Sequence, residues 1–347
     1  MIPEKLKQTD ERLIELLGDR LSLLAEAGFP VEEQVATVAP LLACLGVPEV
    51  IWTKAIAARM TTQNQMHRVT RQVTLIGGRG RMGKFFTEQL AAVGHSIKVL
   101  GRQDWDHADK LLGEAELVLV SVPIECTVDV IKRTAKYLQP TTALADITSI
   151  KSQPVEAMLT HHSGPVIGLH PMFGPSSKSF SGQKVVVCSG RNDDAFRWLL
   201  NLMASQGAEL IACTAEEHDR MMVIIQATQH FSRFCLGVFL AQENIDLERS
   251  LLMSSSNYRL EIDIVTRLLA QNPTLCADIM LATEERCHAI ERLASTYSRL
   301  AQLVARKDRA TLIHEFATTQ SFFADQNDRT LQESDRAIAT QLKAVEA

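Results

Sequence analysis

A glycine-rich loop is the first stretch of this sequence whose residue types and spacing could do chemistry. Within VTLIGGRGRMGKFF, Val73–Phe86, an apolar run leads into the pattern Gly78-x-Gly80-x-x-Gly83, and an amphipathic run follows. In such a loop Gly78 allows a tight turn, Gly80 lets the backbone approach a pyrophosphate, and Gly83 lets a helix pack closely on a strand. The stretch therefore predicts a dinucleotide-binding loop between a strand and a helix.

The end of the second candidate strand bears on which nicotinamide cofactor this loop would hold. An NAD site usually places an Asp or Glu there, where it binds the ribose 2′-hydroxyl. Here the strand ends at Leu100 and Gly101-Arg102 follows, so the carboxylate is missing and an arginine stands beside the gap. A guanidinium suits a 2′-phosphate by charge and geometry, which favours NADP. In the alternative interpretation the arginines are solvated and Asp104 or Asp106 binds the ribose.

Two more candidate residues stand at the ends of later candidate strands. Ser121 begins the run SVPI after the third strand, and His170 lies in LHPMFGP after the fifth. Because ligands collect at the carboxyl ends of parallel strands, Ser121 could border the nicotinamide, although it could also be a plain strand-ending serine. His170 could take the proton of a substrate hydroxyl near neutral pH, or be structural. The expected cofactor contacts are Gly78, Arg79, Gly80, Arg81, Met82, Gly83, Arg102, Ser121 and Pro123.

The elements that must position these residues divide the chain into three parts. Residues 1–66 predict a short helical segment, because their leucines recur at helical spacing. Residues 67–212 alternate β-rich and helical runs, which is typical of an α/β doubly wound parallel sheet. Residues 213–347 predict helices only. The candidate strands are Val73–Ile76, Ser96–Leu100, Leu117–Val122, Thr142–Asp146, Val166–Leu169 and Lys184–Cys188.

Composition and charge exclude several classes of protein. The chain has 347 residues, a formal net charge of −5 and 46% hydrophobic residues, so we expect no binding to nucleic acid or to acidic membranes. It contains no apolar run long enough to span a membrane, and the charged N-terminal residues predict no signal peptide. The seven scattered cysteines predict reduced thiols in a cytoplasmic protein, and we expect no metal site.

Taken together, the motifs resemble the TyrA family of prephenate dehydrogenases, in particular the type fused behind a chorismate mutase domain. The resemblance rests on the GGxGxMG loop, SVPI, LHPMFGP, EEHDRMM, QATQHF and SSSNYRLE, and covers the chain from about residue 70. It implies a Rossmann-like domain followed by an all-helical domain that forms a homodimer. It also implies oxidation of prephenate with NAD(P) and loss of carbon dioxide, which gives 4-hydroxyphenylpyruvate for tyrosine biosynthesis.

The same resemblance assigns roles to individual residues. His170 matches the histidine that binds the ring hydroxyl and accepts its proton, and Ser121 matches a serine near that hydroxyl. Arg259 matches the arginine that holds the ring carboxylate, a task for which a guanidinium fork is suited. The other substrate-pocket residues implied by the resemblance are His218, His230 and Gln226.

One departure from the family pattern leaves a second substrate open. Thr228-Gln229 stand before His230, where family members tend to carry Leu-Arg. A lost cation beside an anionic pocket could change substrate choice. Some relatives in antibiotic pathways oxidise 4-amino-4-deoxyprephenate, so this compound is the alternative substrate.

The N-terminal segment departs further. LKQTDERLIELLGDRLSLLAEAG resembles the first helix of an AroQ-type chorismate mutase, and Arg20 matches one of its substrate arginines. A second expected arginine falls at Pro3, a lysine falls near Val31, and the middle helix EEQVATVAPLLACLG has no cation. Since that rearrangement needs several cations around a dianion, we expect a mutase remnant; an active bifunctional enzyme is the alternative.

Other protein classes also combine a nucleotide-binding domain with a helical domain. A 3-hydroxyacid dehydrogenase or an imine reductase would be such a protein, as would a non-catalytic nucleotide sensor. The hydroxyacid enzymes require a lysine on the first long helix of the second domain, and Glu217–Gln242 contains none. A sensor would not need the pair His170 and Arg259.

Overall fold

A computed structural model describes residues 70–174 and 176–324, together with the single positions Arg12, Leu16 and Leu42. The chain divides into two compact units, Met1–Thr70 and Arg71–Ala347. Arg12, Leu16 and Leu42 are helical. The remaining expectations for residues 1–66, including the mutase-like helices and Arg20, lie outside the described residues.

Seven strands form one sheet in the order β2-β1-β3-β4-β5-β6-β7. All neighbouring pairs are parallel except β5 and β6, which are antiparallel. This confirms the doubly wound, mostly parallel sheet. Because β1 has β2 on one side and β3 on the other, the strand order reverses at β1, where such folds bind ligands. The strands are β1 Gln72–Ile76, β2 Ser96–Leu100, β3 Leu117–Val120, β4 Ala143–Asp146, β5 Val166–Pro171, β6 Lys184–Arg191 and β7 Glu209–Cys213.

The observed strands differ from the predicted ones at several points; β6, for example, continues to Arg191 rather than ending at Cys188. Strand β3 ends at Val120, so Ser121 lies just outside it. Strand β5 continues through His170 to Pro171, so the histidine is fixed in the sheet and pairs with Val186 of β6 rather than entering a loop. Strand β7 has no counterpart among the predicted strands.

The centre of the sheet is buried on both faces. The four residues of β3, LVLV, are all buried, as expected for a parallel strand covered by helices on both sides. Side chains of one face pack around Phe86 and Leu119, and those of the other around Val118 and Leu144. The helices of this part are α1 Arg81–Ala92, α2 Ala108–Leu112, α3 Ile124–Ala135, α4 Ser152–His161 and α5 Arg197–Ser205.

After β7 the described chain is helical. Most of these helices begin at a side chain that caps the first turn; Thr214, for example, accepts a hydrogen bond from the backbone N–H of Glu217. Within the described residues, no helix is both long and apolar enough to cross a membrane. The elements are α6 Ala215–Met222, a π-helical segment Val223–Thr228, α7 Gln229–Gln242, α8 Leu247–Leu252, α9 Ser256–Leu269, α10 Pro273–Leu281, α11 Glu284–Ala305 and α12 Arg309–Phe323.

Candidate active site

The glycine loop joins β1 to α1 beside the end of β3. Gly77 has a positive φ of 80°, and a Cβ there would overlap the carbonyl oxygen of Ser121. A Cβ on Gly83 would lie 2.7 Å from the Cα of Gly78, so helix and loop touch backbone to backbone. A Cβ on Gly80 would meet only the carbonyl oxygen of Gly77, at 3.2 Å, which leaves the mouth of the loop open. This open cradle at a helix N-terminus fits the pyrophosphate of a dinucleotide.

The end of β2 carries an ion pair that the sequence did not predict. The Asp104 carboxylate accepts the backbone N–H of Gly101 at 2.7 Å and pairs with the Arg79 guanidinium at 3.0 Å. A Cβ at position 101 would lie 2.6 Å from Nη1 of Arg79. The absence of a side chain at Gly101 therefore gives the Arg79 guanidinium room at the strand end. Arg81 and Arg102, which lie close to Arg79 and Gly101 along the chain, are exposed to solvent.

Three side chains form a buried chain of hydrogen bonds behind β5. Nδ1 of His170 lies 2.7 Å from Nε2 of His218, and Nδ1 of His218 lies 2.8 Å from Oδ1 of Asp219. Both imidazoles are almost fully buried, at 3% and 1% exposure. Since a carboxylate can only accept, His218 donates to it from Nδ1, and its Nε2 then accepts the Nδ1–H of His170. Nε2 of His170 is left as an acceptor.

The acceptor nitrogen of His170 meets a residue of the π-helical segment. Nε2 of Gln226 lies 3.2 Å from Nε2 of His170 and donates to it, whereas the buried Oε1 of Gln226 has no partner among the described residues. The carbonyl of Gln226 accepts from Nδ1 of His230 at 2.8 Å. Single π turns inside α-helices often occur at functional sites, because the extra residue per turn redirects side chains. The site therefore joins a sheet strand to the irregular part of a helix.

The far end of the hydrogen-bond chain is fixed by α4. Oδ1 and Oδ2 of Asp219 accept the backbone N–H groups of Lys151 and Ser152, each at 2.8 Å. These amides lie at the N-terminus of α4, where the helix dipole also favours an anion. Lys151 itself forms a fully buried ion pair with Asp146 at the end of β4. Asp219 is thus held as a carboxylate by groups from two parts of the chain.

Burial sets the protonation states of the histidines. It lowers the pKa of His170 well below the usual value, and nearby positive groups act in the same direction. It also lowers the pKa of His218, against the opposing effect of Asp219, and that of His230. Burial acts to raise the pKa of Asp219, but hydrogen bonds from His218 and the α4 amides hold it below its usual range. The resting site therefore contains neutral imidazoles and an ionised carboxylate.

The structure brings together four of the predicted catalytic and substrate-binding residues and leaves Arg259 apart from them. His170, His218, Gln226 and His230 form one connected group. Arg259 on α9 is half-buried and donates to the carbonyl of Leu251 at 3.3 Å, not to a residue of that group.

Two further predicted residues lie just beyond the carboxyl end of β3. The backbone N–H of Ser121 donates to Ile76 of β1 at 2.8 Å, which places Ser121 beside the glycine loop. Pro123 precedes the first turn of α3. Met82 packs against the core beneath the loop, and Pro175 of the LHPMFGP run lies outside the described residues.

Sequence reasoning missed Asp219, Lys151 and Asp146. Two signals could have indicated them: Asp219 directly follows a predicted pocket histidine, and Asp146 ends a buried strand at the ligand-binding edge. Lys151 carries no comparable signal, since its partners are set by the tertiary fold.

Comparison with known proteins identifies the family. Residues 94–212 match the model of the nucleotide-binding domain of prephenate dehydrogenase, and residues 214–318 match that of its dimerization domain. The chain belongs to the prephenate dehydrogenase family. It is 36% identical to a T-protein of Enterobacter agglomerans, with 95% of this chain and 94% of that protein covered. It is 35% identical to a T-protein of Haemophilus influenzae, with 94% and 92% covered.

A solved structure shows the same fold. The crystal structure of prephenate dehydrogenase from A. aeolicus, in complex with hydroxyphenyl propionate and NAD+, matches with a TM-score of 0.58 at 17% identity. The match covers 74% of this chain and 98% of that one. This chain is therefore an oxidoreductase that uses a nicotinamide cofactor. The prephenate dehydrogenase family is thus favoured over the three other protein classes, namely a 3-hydroxyacid dehydrogenase, an imine reductase and a nucleotide sensor.

Proposed function

We propose that His170 is the base in the oxidative decarboxylation of prephenate to 4-hydroxyphenylpyruvate, the reaction of this chain in tyrosine biosynthesis. The observation that supports this role is the one-way hydrogen-bond chain, which leaves Nε2 of His170 unprotonated. Loss of hydride from the carbon bearing the hydroxyl turns its oxygen into a carbonyl, so the hydroxyl proton must leave. Nε2 accepts that proton. Carbon dioxide departs because the ring becomes aromatic.

The protein stabilises the proton after transfer. A protonated His170 is buried, but it can share its charge through His218 with the Asp219 carboxylate. The carboxylate also fixes both tautomers before the reaction, as a third group does in catalytic triads. Gln226 occupies the accepting nitrogen in the structure, so the substrate hydroxyl takes the place of its amide N–H.

The glycine loop and the adjacent end of β3 hold the cofactor in this proposal. Gly78, Gly80 and Gly83 cradle the pyrophosphate at the N-terminus of α1, and Ser121 and Pro123 border the nicotinamide. The nicotinamide, when bound, supplies the hydride acceptor. Arg259 binds the ring carboxylate of the substrate, a role supported by its match to the family motif.

For the finer choice of cofactor we propose NADP. The side-chain-free Gly101 leaves the Arg79 guanidinium at the end of β2, and Arg102 follows directly. Both can face a 2′-phosphate, with Asp104 as the counter-ion that holds Arg79 beforehand. The competing interpretation is that the Asp104 carboxylate binds the ribose hydroxyls of NAD.

Binding of 2′,5′-ADP and of ADP separates these two interpretations without any turnover. We expect 2′,5′-ADP to bind about 10-fold more tightly or better, because a charged hydrogen bond contributes about 1.5–3 kcal/mol. Arg79→Ala should remove that preference, whereas Arg197→Ala, which breaks an exposed ion pair with Asp194 just before α5, should not. Isothermal titration measures both affinities. Equal or tighter binding of ADP would assign the ribose to Asp104 instead.

The reaction is tested with purified chain given prephenate or 4-amino-4-deoxyprephenate, each with NAD or NADP. We expect turnover of prephenate with release of carbon dioxide, and a decrease in kcat of about 10²–10⁴-fold in His170→Asn with KM little changed. Turnover of the amino compound alone would favour the antibiotic-type alternative and direct attention to Thr228-Gln229. No turnover in any combination would contradict the function.

Chorismate, given as a third substrate in the same assay, tests whether the N-terminal segment has chorismate mutase activity. We propose that residues 1–66 are a mutase remnant, since Pro3 and Val31 stand where cations are needed. Chorismate given alone should therefore yield no prephenate above the uncatalysed rate. Formation of prephenate would show an active bifunctional enzyme.

A homodimer formed by the helical part is the assembly we propose. Large apolar side chains are exposed along α7, α11 and α12, among them Phe234, Phe239, Val304 and Phe316. Exposed apolar area of this kind marks an interaction surface. Sedimentation equilibrium of the full chain tests the dimer.

The six described cysteines are free thiols, which supports the cytoplasmic location that the sequence predicts.

A further inference from the structure

Arg233 on α7 is a half-buried cation without a protein partner. Its guanidinium forms no hydrogen bond or ion pair with any residue that the structure describes. Burial lowers the pKa of Arg233, and no carboxylate among those residues opposes the effect. A guanidinium carries five N–H donors, and removing them from water without an acceptor is unfavourable. Arg233 is therefore a candidate to receive its anion from a ligand.

The two fully buried cations among the described residues, by contrast, both have partners. Lys151 forms the buried ion pair with Asp146. Arg286 of α11 donates to two backbone carbonyls, one of them that of Ser149 at 2.9 Å. Protein groups thus hold both of these cations, and neither is free to bind a further anion.

The helical register places Arg233 beside the active site. It lies three residues after His230 on α7, and side chains three residues apart are neighbours on a helix surface. His230 donates to the carbonyl of Gln226, whose side-chain amide contacts His170. Gln226 and Arg233 are seven residues apart, which corresponds to roughly 10 Å along a helix axis. Arg233 therefore lies at the end of this group of residues that is remote from His170.

The side of α7 that carries Arg233 faces α9, the helix of Arg259. Gly237 is four residues after Arg233 and so lies on the same side of α7. A Cβ at Gly237 would lie 2.9 Å from Cδ1 of Leu269, the last residue of α9, so the two helices pack closely there. The two arginines thus stand on neighbouring helices.

The proposed substrate has one carboxylate more than the cations assigned to it. Prephenate carries a ring carboxylate and a side-chain carboxylate, both on the ring carbon opposite the hydroxyl. With the hydroxyl at His170 and the ring carboxylate at Arg259, the side-chain carboxylate needs a cation at the remote end of the pocket. 4-Amino-4-deoxyprephenate carries the same two carboxylates, so this need does not depend on which substrate is used.

We propose that Arg233 binds the side-chain carboxylate of the substrate, an inference that rests on the proposed function of this site. A guanidinium can bind both oxygens of that carboxylate at once. The residue also answers a departure from the family pattern. Gln229, where family members tend to carry arginine, lies one helical turn before Arg233 on the same side of α7. This chain therefore supplies a cation one turn further along the helix.

Two ligands that differ only in this carboxylate test the proposal. 4-Hydroxyphenylpyruvate, the product, keeps the side-chain carboxylate, whereas 4-hydroxyphenylacetone has a methyl group in its place. Isothermal titration measures the binding of each to the full chain saturated with oxidised NAD(P). Arg233→Met removes the charge at similar length, and Arg233→Lys keeps the charge without the fork. The matched control is Arg292→Met, which removes an exposed cation paired with Glu285 on α11.

We expect Arg233→Met to weaken the binding of 4-hydroxyphenylpyruvate by about 10–100-fold, because a charged hydrogen bond is lost. Binding of 4-hydroxyphenylacetone should not change. Arg233→Lys should keep part of the affinity for the product, and the control should keep all of it. In steady-state kinetics, Arg233→Met should raise KM for prephenate with kcat little changed, as expected when substrate and transition state lose the same contact.

Several results would overturn the proposal. Equal binding of both ligands by the wild-type chain would do so, as would an equal loss for both in Arg233→Met. A raised KM for prephenate with unchanged binding of the product would assign Arg233 to the ring carboxylate instead. A loss of affinity that accompanies dissociation of the dimer in sedimentation equilibrium would assign it to the subunit interface.

The binding measurement is independent of turnover. A wild-type chain that does not oxidise prephenate but binds 4-hydroxyphenylpyruvate through Arg233 would contradict the proposed reaction and support the role of Arg233. If Arg233→Met does not fold, Arg233→Gln replaces it with the same expectation.

Discussion

At the scale of single residues, the active site depends on the direction in which its hydrogens point. Asp219 accepts three hydrogen bonds and can donate none, so every donor along the chain points toward it. That direction leaves a lone pair on Nε2 of His170, the atom that we propose accepts the substrate proton. A single carboxylate therefore determines the tautomer of two imidazoles.

Asp219→Asn tests this directional chain. An amide presents an N–H where the carboxylate accepted one, so it reverses the donor pattern at His218 or leaves an α4 amide unpaired. We expect kcat to fall by about 10–100-fold and stability by about 1–3 kcal/mol. Steady-state kinetics and urea unfolding measure the two effects. The control is Asp308→Asn, which alters a carboxylate capping α12 and should leave kcat unchanged. If Asp219→Asn also leaves kcat unchanged, the proposed hydrogen-bond chain is contradicted.

The sequence indicated the histidines of the site but not the groups that hold them. His170 follows an apolar run and His218 lies in a recognisable motif, so both carry a local signal. The contacts of Asp219 with Lys151 and Ser152 span 68 and 67 residues, and that of Arg286 with Ser149 spans 137. Such pairs arise only when the two parts of the chain pack together, and no local pattern encodes them.

At the scale of elements, two glycines in the turn from β1 to α1 have different roles: one allows close packing and the other leaves space for the cofactor. Gly83→Ala would force a Cβ into the backbone of Gly77 and Gly78, so we expect lower stability and weaker cofactor binding. Gly80→Ala meets little protein and intrudes on the pyrophosphate cradle, so we expect near-wild-type Tm with cofactor affinity reduced at least about 10-fold. Thermal unfolding and cofactor titration measure the pair. A Gly80→Ala protein that binds cofactor normally would contradict the placement of the cradle.

Local sequence predicted the central strands but not all of their ends. The all-buried strand β3 was predicted from its continuous apolar run, although it ends at Val120 rather than Val122. Strand β7, with the sequence ELIAC, lies at the sheet edge and is only partly buried. Its apolar run of four residues fits a short helical segment as well as a strand, so local sequence does not identify it. The extension of β5 through His170 and Pro171 depends on pairing with β6, a contact that local propensity does not report.

At the scale of the whole molecule, burial of several histidines makes stability depend on pH. Burial lowers the pKa of His162, His170, His218 and His230 below the value of about 6.5 that they have in the unfolded chain. The unfolded state then binds more protons, so stability is complete above about pH 6.5 and is lost as pH falls below it. Asp219 titrates below its usual range and adds nothing in this window.

We expect the urea concentration at the unfolding midpoint to be lower at about pH 5.5 than at about pH 7.5. This range lies above the pH at which ordinary carboxylates titrate. Equilibrium unfolding at both pH values measures it, and His170→Asn should show a smaller fall because one buried histidine is gone. A midpoint that does not change would mean that these histidines accept protons without unfolding the protein.

The π-helical segment Val223–Thr228 limits how the length of this gene product can vary. It lies between α6, which carries His218, and α7, which begins just before His230. Deleting one residue there would restore ordinary helical winding and remove the bulge that presents Gln226 to His170. A frame-preserving deletion in a surface loop can be neutral, whereas the same deletion here would displace Gln226. Sequence length across these six residues is therefore as much a part of the active site as the side chains themselves.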